Sequence, residues 1–219
     1  EGGLLAERLA RFGVGKLVLA DPDNFEMGNT NRQFGANQKT IGLNKACAIK
    51  KELQCINPSI KIKAFDKGIC PENIDLFVKE SDIVVDGVDY LSSDVSLNLA
   101  RAARSCGKYF FTGASIGWGG SLLCFDPEGM KFEDYFEYDT QKKTINIEKY
   151  AKKIPSYFED ELTREVLNKD KNIPILSSAA GLIASLLCGE IILLILGKRN
   201  PIVIPDFISI DQFELYFKI

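Results

Sequence analysis

Gly2-Gly3-Leu4-Leu5-Ala6-Glu7-Arg8-Leu9-Ala10-Arg11 and, shortly after it, Lys16-Leu17-Val18-Leu19-Ala20-Asp21 decide the class of fold. In the first stretch apolar residues recur at helical spacing, and Gly13 offers a helix stop. The second is an apolar run of strand length that ends on an acid and is broken by Pro22-Asp23-Asn24. A glycine pair, a helix and a strand ending in a carboxylate form much of a nucleotide-binding unit. Amide groups at the helix start face a phosphate, and the acid receives ribose hydroxyls. Taken singly, the glycine pair is a turn and Asp21 is a residue that starts one. The spacing of Gly2 and Gly3 to Asp21 makes nucleotide binding the better reading. The full glycine fingerprint also needs a strand and an earlier glycine, which are expected upstream of residue 1.

Outward from this stretch, strand and helix patterns alternate. Helices are expected at 43–56, 73–79 and 94–106, and strands at 60–65, 82–86, 109–112 and 122–125. Such alternation implies crossover connections: an α/β fold with a Rossmann-like, mainly parallel sheet and helices on both faces. The interval 23–40 is polar and Asn-rich and reads as a long loop of functional kind. The interval 126–172 is dense in Lys, Glu and Asp. It reads as an insertion or crossover over the sheet's active edge, with helical pieces near 147–153 and 157–167. A nearly all-apolar helix at 178–196 then leads to two strands, 207–210 and 213–217, giving antiparallel strands near the C-terminus. The whole chain, 1–219, is expected to be one domain.

Charge and cysteine usage narrow the function classes. Lys and Arg number 27 against 30 Asp and Glu, a net charge of −3, so no broad basic face for nucleic acid is expected. There is no histidine, which removes His-based triads and most transition-metal sites. The six cysteines form no C-x-x-C pair, so no zinc is expected. They read as reduced core thiols of a cytoplasmic protein. Glu190 and several Ser and Gly residues interrupt the apolar stretch 175–196, so a core helix is expected there rather than a membrane span.

The chemistry lies in three later places. Arg32, in Asn29-Thr30-Asn31-Arg32-Gln33, has the fork that suits phosphate oxygens. Lys45, in Gly42-Leu43-Asn44-Lys45, sits near a helix start as a second point charge. Asp89, just beyond the strand 82–86, lies at the sheet edge where ligands of open α/β sheets bind, and suits Mg²⁺. Asp86 is second choice for that ion because it belongs to the strand. Alone, Arg32 and Lys45 read as solvated surface charges. Together with Asp21 and Gly3 they fit adenylation, in which charge builds on the α-phosphate and on departing pyrophosphate. The glycine-rich Gly113-Ala114-Ser115-Ile116-Gly117-Trp118-Gly119-Gly120 fits a channel for an extended peptide tail and a tight turn equally well.

These motifs, together with Ala10-Arg11-Phe12-Gly13-Val14-Gly15, Ile56-Asn57-Pro58 and Asp86-Gly87-Val88-Asp89, occur in an order that resembles the ThiF/MoeB/HesA family. That family shares its adenylating domain with ubiquitin-activating enzymes. The resemblance is close over the first half and returns more loosely from Ser178 to Glu190. It implies an ATP-dependent adenylyltransferase with Mg²⁺, acting on the Gly-Gly tail of a ubiquitin-like or sulfur-carrier protein, and a homodimer. It implies that Gly2 and Gly3 border the nucleotide, that Asp21 binds ribose, that Asn29, Arg32 and Lys45 bind phosphates beside Gln33, and that Asp89 holds Mg²⁺. Arg32, Lys45 and Asp89 would be catalytic. Two features depart from many members: the zinc-binding C-x-x-C pairs are missing, and 126–172 has no cysteine. A thioester would fall to Cys124 or Cys188, both in apolar settings, so the adenylate-only reaction is preferred. The rivals are adenylation of a small-molecule or tRNA-borne carboxylate, since the 29–33 loop also resembles tRNA threonylcarbamoyladenosine dehydratases; an NAD(P)-dependent oxidoreductase; and a silent partner subunit.

Overall fold

A computed structural model describes residues 1–89, 92–158, 161, 165 and 175–219. Helix α1 (Gly2–Arg11) is followed by strand β1 (Lys16–Ala20), helix α2 (Lys45–Ile56) and strand β2 (Lys61–Phe65). Then come helix α3 (Ile74–Lys79), strand β3 (Val84–Asp86), helix α4 (Ser93–Ser105) and strands β4 (Phe110–Ile116) and β5 (Gly119–Phe125). A short helix α5 (Phe132–Tyr135) and the long helix α6 (Ser177–Ile195) precede strands β6 (Ile208–Asp211) and β7 (Tyr216–Lys218).

The strands form two ladders. β1 and β2 pair in parallel, and β3 to β7 form a five-stranded sheet in chain order. Within it β3 and β4 are parallel, and the pairs from β4 onward are antiparallel. The α/β class and the antiparallel C-terminal strands agree with the sequence reading. Among the described residues the parallel strand pairs are β1–β2 and β3–β4, each joined through a helix. Among the described residues no strand pairs with the second edge of β1 or of β3. Both edges border one cavity of about 820 Å³.

Helix α6 covers one face of the five-stranded sheet. Ile183, Leu187 and Ile191 pack with Phe111, Leu122 and Ile208, and with Leu5 and Leu9 of α1. Full burial of such side chains contributes about 1.5–3 kcal/mol each. By length and composition α6 would pass for a membrane span. Its buried Glu190 instead pairs with Arg199 just past its end, with Arg199 Nη1 2.8 Å from Glu190 Oε2. On the other face α3, α4 and α5 cover a core containing Phe77, Leu99, Phe110 and Phe125.

One open reading is decided and one expectation changes. The glycine-rich segment is a tight turn between strands: β4 runs to Ile116 and β5 starts at Gly119. A Cβ at Gly120 would lie 2.1 Å from the Ala114 carbonyl oxygen, and one at Gly119 would lie 2.2 Å from that of Ile210. Glycine is needed there for backbone-to-backbone packing. The cysteines are also not mainly core thiols. Cys124 and Cys188 are buried, Cys47 and Cys70 are half-buried, and Cys55 and Cys106 are exposed. Within 147–153 only a short 3-10 turn, Ile147–Tyr150, is present. The expected helix at 157–167 lies largely outside the described residues.

Candidate active site

The cavity runs along β1 and β3 and takes in the loops beyond their carboxyl ends, where ligands of open α/β sheets bind. Gly2, Gly3, Asp21, Arg32, Gln33, Lys45 and Asp89 all line it. Asn29 stands apart from this lining. Its Oδ1 accepts the Glu26 amide at 3.0 Å and caps a single 3-10 turn.

Each member is set by local chemistry. Helix α1 begins at Gly2 itself, two residues earlier than its apolar pattern suggests. A Cβ on Gly3 would lie 3.0 Å from Ile49 Cδ1, so glycine lets α1 approach α2 closely. Asp21 follows β1, and its Oδ1 accepts the Asp23 amide at 2.9 Å. Burial raises the Asp21 carboxyl above its ordinary range, opposed by that hydrogen bond and by Lys45. Lys45 is the first residue of α2; its amide donates to the Asp23 carbonyl at 2.8 Å. Its Nζ lies 3.0 Å from Asp23 Oδ2, with the Lys45 side chain 13% exposed and that of Asp23 66% exposed. Arg32 donates to the Gly28 carbonyl at 3.2 Å and to Asn31 Oδ1 at 2.9 Å.

On the opposite wall Asp89 is an exposed carboxylate after β3, and its carbonyl accepts the Ser92 amide at 2.8 Å. Asp86 is buried, and its Oδ1 accepts the Val88 amide at 2.9 Å. Desolvation raises its pKa to about 6, against the opposing bonds from Val88 and Ser96; Glu1 raises it further. A buried, internally bonded carboxylate suits loop shaping, while exposed Asp89 suits an ion that keeps few protein ligands. Among the described residues no three His, Cys, Asp or Glu side chains gather as a metal cluster. The crossover contributes Ile147, Tyr150, Ile154 and Phe158 to the cavity lining.

Two residues that matter here were not singled out from sequence: Asp23, which holds Lys45, and Asn44. The signal for Asn44 was available, because Asn directly before a helix is a strong N-cap. Starting the helix at 43 concealed it.

The geometry agrees with the comparisons. The ThiF family model matches residues 2–219. The tRNA threonylcarbamoyladenosine dehydratase of Haemophilus influenzae is 31% identical over 172 residues, 78% of this chain and 57% of that protein. The sulfur carrier protein ThiS adenylyltransferase of Escherichia coli is 30% identical over 119 residues, 54% of this chain and 47% of that protein. The crystal structure of E. coli MccB with ATP has a TM-score of 0.72 at 19% identity, covering 99% of this chain and 59% of that one. The chain thus spans about half the length of these proteins, and over that span it belongs to the ThiF family.

Proposed function

We propose that this chain binds ATP at the carboxyl edge of β1 and β3 and activates a carboxylate as an acyl-adenylate, releasing pyrophosphate. The observation that carries this reading is the convergence of Asp21, Arg32, Lys45 and Asp89 on one cavity. An NAD(P) enzyme needs hydride geometry at a nicotinamide and has no departing pyrophosphate for Arg32 and Lys45 to stabilise.

In this reading a carboxylate oxygen of the substrate attacks the α-phosphorus. A bond forms between them, the bond from the α-phosphorus to the bridging oxygen breaks, and pyrophosphate departs. The nucleophile is already ionised and the leaving group needs no proton, so the step suits a chain without histidine. Asp21 accepts ribose hydroxyls. Arg32 and Lys45 neutralise charge on the α-phosphate and pyrophosphate, where fixed cations act most strongly. Lys45 is available because its partner Asp23 is exposed, and such ion pairs are weak. Asp89 would hold Mg²⁺, which when bound screens the phosphate charges.

The substrate proposed first is the Gly-Gly tail of a ubiquitin-like or sulfur-carrier protein, supported by the relative named for ThiS. A second reading, a tRNA-borne or small-molecule carboxylate, is favoured by the dehydratase's match over the larger share of the chain. The net charge of −3 favours the first. The family resemblance supports a homodimer, and the six free cysteines support a cytoplasmic location. Incubation with ATP, Mg²⁺ and either a Gly-Gly-terminated carrier protein or modified tRNA tests the choice. An AMP adduct on the carrier supports the first reading; ATP-dependent change of the tRNA alone supports the second.

The apolar part of the cavity, walled by Leu17, Leu19, Ile83 and Val85, lies along the open, parallel-type strand edges of β1 and β3 and is proposed to receive one further parallel strand.

A further inference from the structure

We infer that Asn44 is a positioning residue for ATP: one carboxamide fixes Asp21, Asp23 and Lys45 relative to one another. This rests on the nucleotide reading of the site. Asn44 occupies the N-cap of α2, and its Oδ1 accepts the Cys47 amide at 3.0 Å. Its Nδ2 donates to the carbonyls of Asp21 at 2.8 Å, Asp23 at 3.2 Å and Asp66 at 3.1 Å. A carboxamide nitrogen has two hydrogens, so three acceptors share them and the donor is saturated. The loop after β1, the loop after β2 and the start of α2 are thereby tied at one point.

The tie acts on the site through short paths. Asp23 bonds the Asp21 carboxylate with its amide, the Lys45 amide with its carbonyl and the Lys45 ammonium with its own carboxylate. Asp21 and Lys45 therefore share Asp23, and Asn44 holds the carbonyls of both acids. Only a short side chain with both a donor and an acceptor meets this need. Serine retains the cap but loses the reach to three carbonyls. Aspartate retains size and cap but brings oxygens against oxygens. Neighbouring Lys45 thus owes its position to the residue before it as well as to its own charge.

The test is a double-mutant cycle on kcat/KM for ATP in pyrophosphate exchange, with ATP binding measured by calorimetry. Asn44→Ser retains the helix cap, and Asn44→Asp is the second variant should serine fold poorly. Asn57→Ser is the control, since Asn57 Nδ2 makes a comparable tie to the Ala10 carbonyl at 3.2 Å, away from the cavity lining. The expected result is a fall of about tenfold in kcat/KM for Asn44→Ser, the loss of one or two net hydrogen bonds. The fall should shrink in a Lys45→Ala background, because part of it acts through Lys45. Asn57→Ser should alter melting but not KM. Normal ATP binding and kcat/KM in folded Asn44→Ser, or full additivity with Lys45→Ala, overturns the positioning role alone. Absence of ATP binding by the unaltered chain overturns the nucleotide reading and this inference with it.

Discussion

The loop 23–44 and the crossover 126–158 are both long and poor in regular structure, but different forces hold them. The loop is fixed by small polar side chains bonded to the main chain. Asn29 caps a turn, Thr40 Oγ1 donates to the Gly35 carbonyl at 2.6 Å, and Asn44 closes the end. Only Phe25 anchors it in the core as a fully buried large side chain. The crossover is held by rings: Phe136 packs against Phe132 and Tyr150 in tilted contacts, each with ring centroids 4.7 Å away. Hydrogen-bonded loops present charges in fixed positions, while ring packing seals a sheet against water. The cavity lies between the two kinds of wall.

The largest effect that would break this contrast is in the crossover. Phe136→Ala should cost about 3–5 kcal/mol of stability, because a fully buried ring leaves a cavity behind. Denaturant unfolding measures it, and a loss below about 1 kcal/mol would show that rings are not what holds this region. Next comes Lys45→Ala, expected to slow adenylation by about a hundredfold or more with stability changed by no more than about 1 kcal/mol. Near-normal activity with a lowered melting temperature would make Lys45 a structural residue.

A third prediction lies where the two walls meet. Asp86 raises the Tyr150 hydroxyl, which is displaced upward first by burial. Its own folded pKa is about 6 against an ordinary 3.8. Between these values the folded state binds a proton that the unfolded state does not, so stability rises as pH falls. Relative to Asp86→Asn, the unaltered chain should gain roughly 2–3 kcal/mol as pH drops through 6 toward 4. Parallel pH curves for the two proteins would mean that Asp86 is solvated. The smallest effect is expected at Cys124, which is fully buried, with burial pushing its thiol far up and out of reach as a nucleophile. Cys124→Ala should leave adenylate formation unchanged. A reductant-sensitive adduct with substrate that vanishes in this variant or in Cys188→Ala would establish a thioester route.

The same contrast explains what the sequence disclosed. Apolar periodicity located the helices and strands of the sheet to within a few residues, because burial imposes that pattern. The spacing of Asp21, Arg32, Lys45 and Asp89 was legible because β1, β3 and their loops bring acid and base to one edge. Asn44 and Asp23 were not, since their roles depend on hydrogen bonds between loops that are distant along the chain. Asn29 shares its motif with Arg32, yet local capping turns its oxygen to Glu26, a competition that motif spacing does not register. The glycine-rich hairpin was ambiguous for a further reason: glycine marks close approach as readily as open space, and only the partner backbone decides.

Pyrophosphate exchange into ATP, run with and without a carboxylate donor, tests the central claim most directly. The account predicts exchange that requires the donor and Mg²⁺ and falls by about a hundredfold in Lys45→Ala. Undiminished exchange in Lys45→Ala, or tight NAD(P) binding in a chain that does not bind ATP, would contradict it.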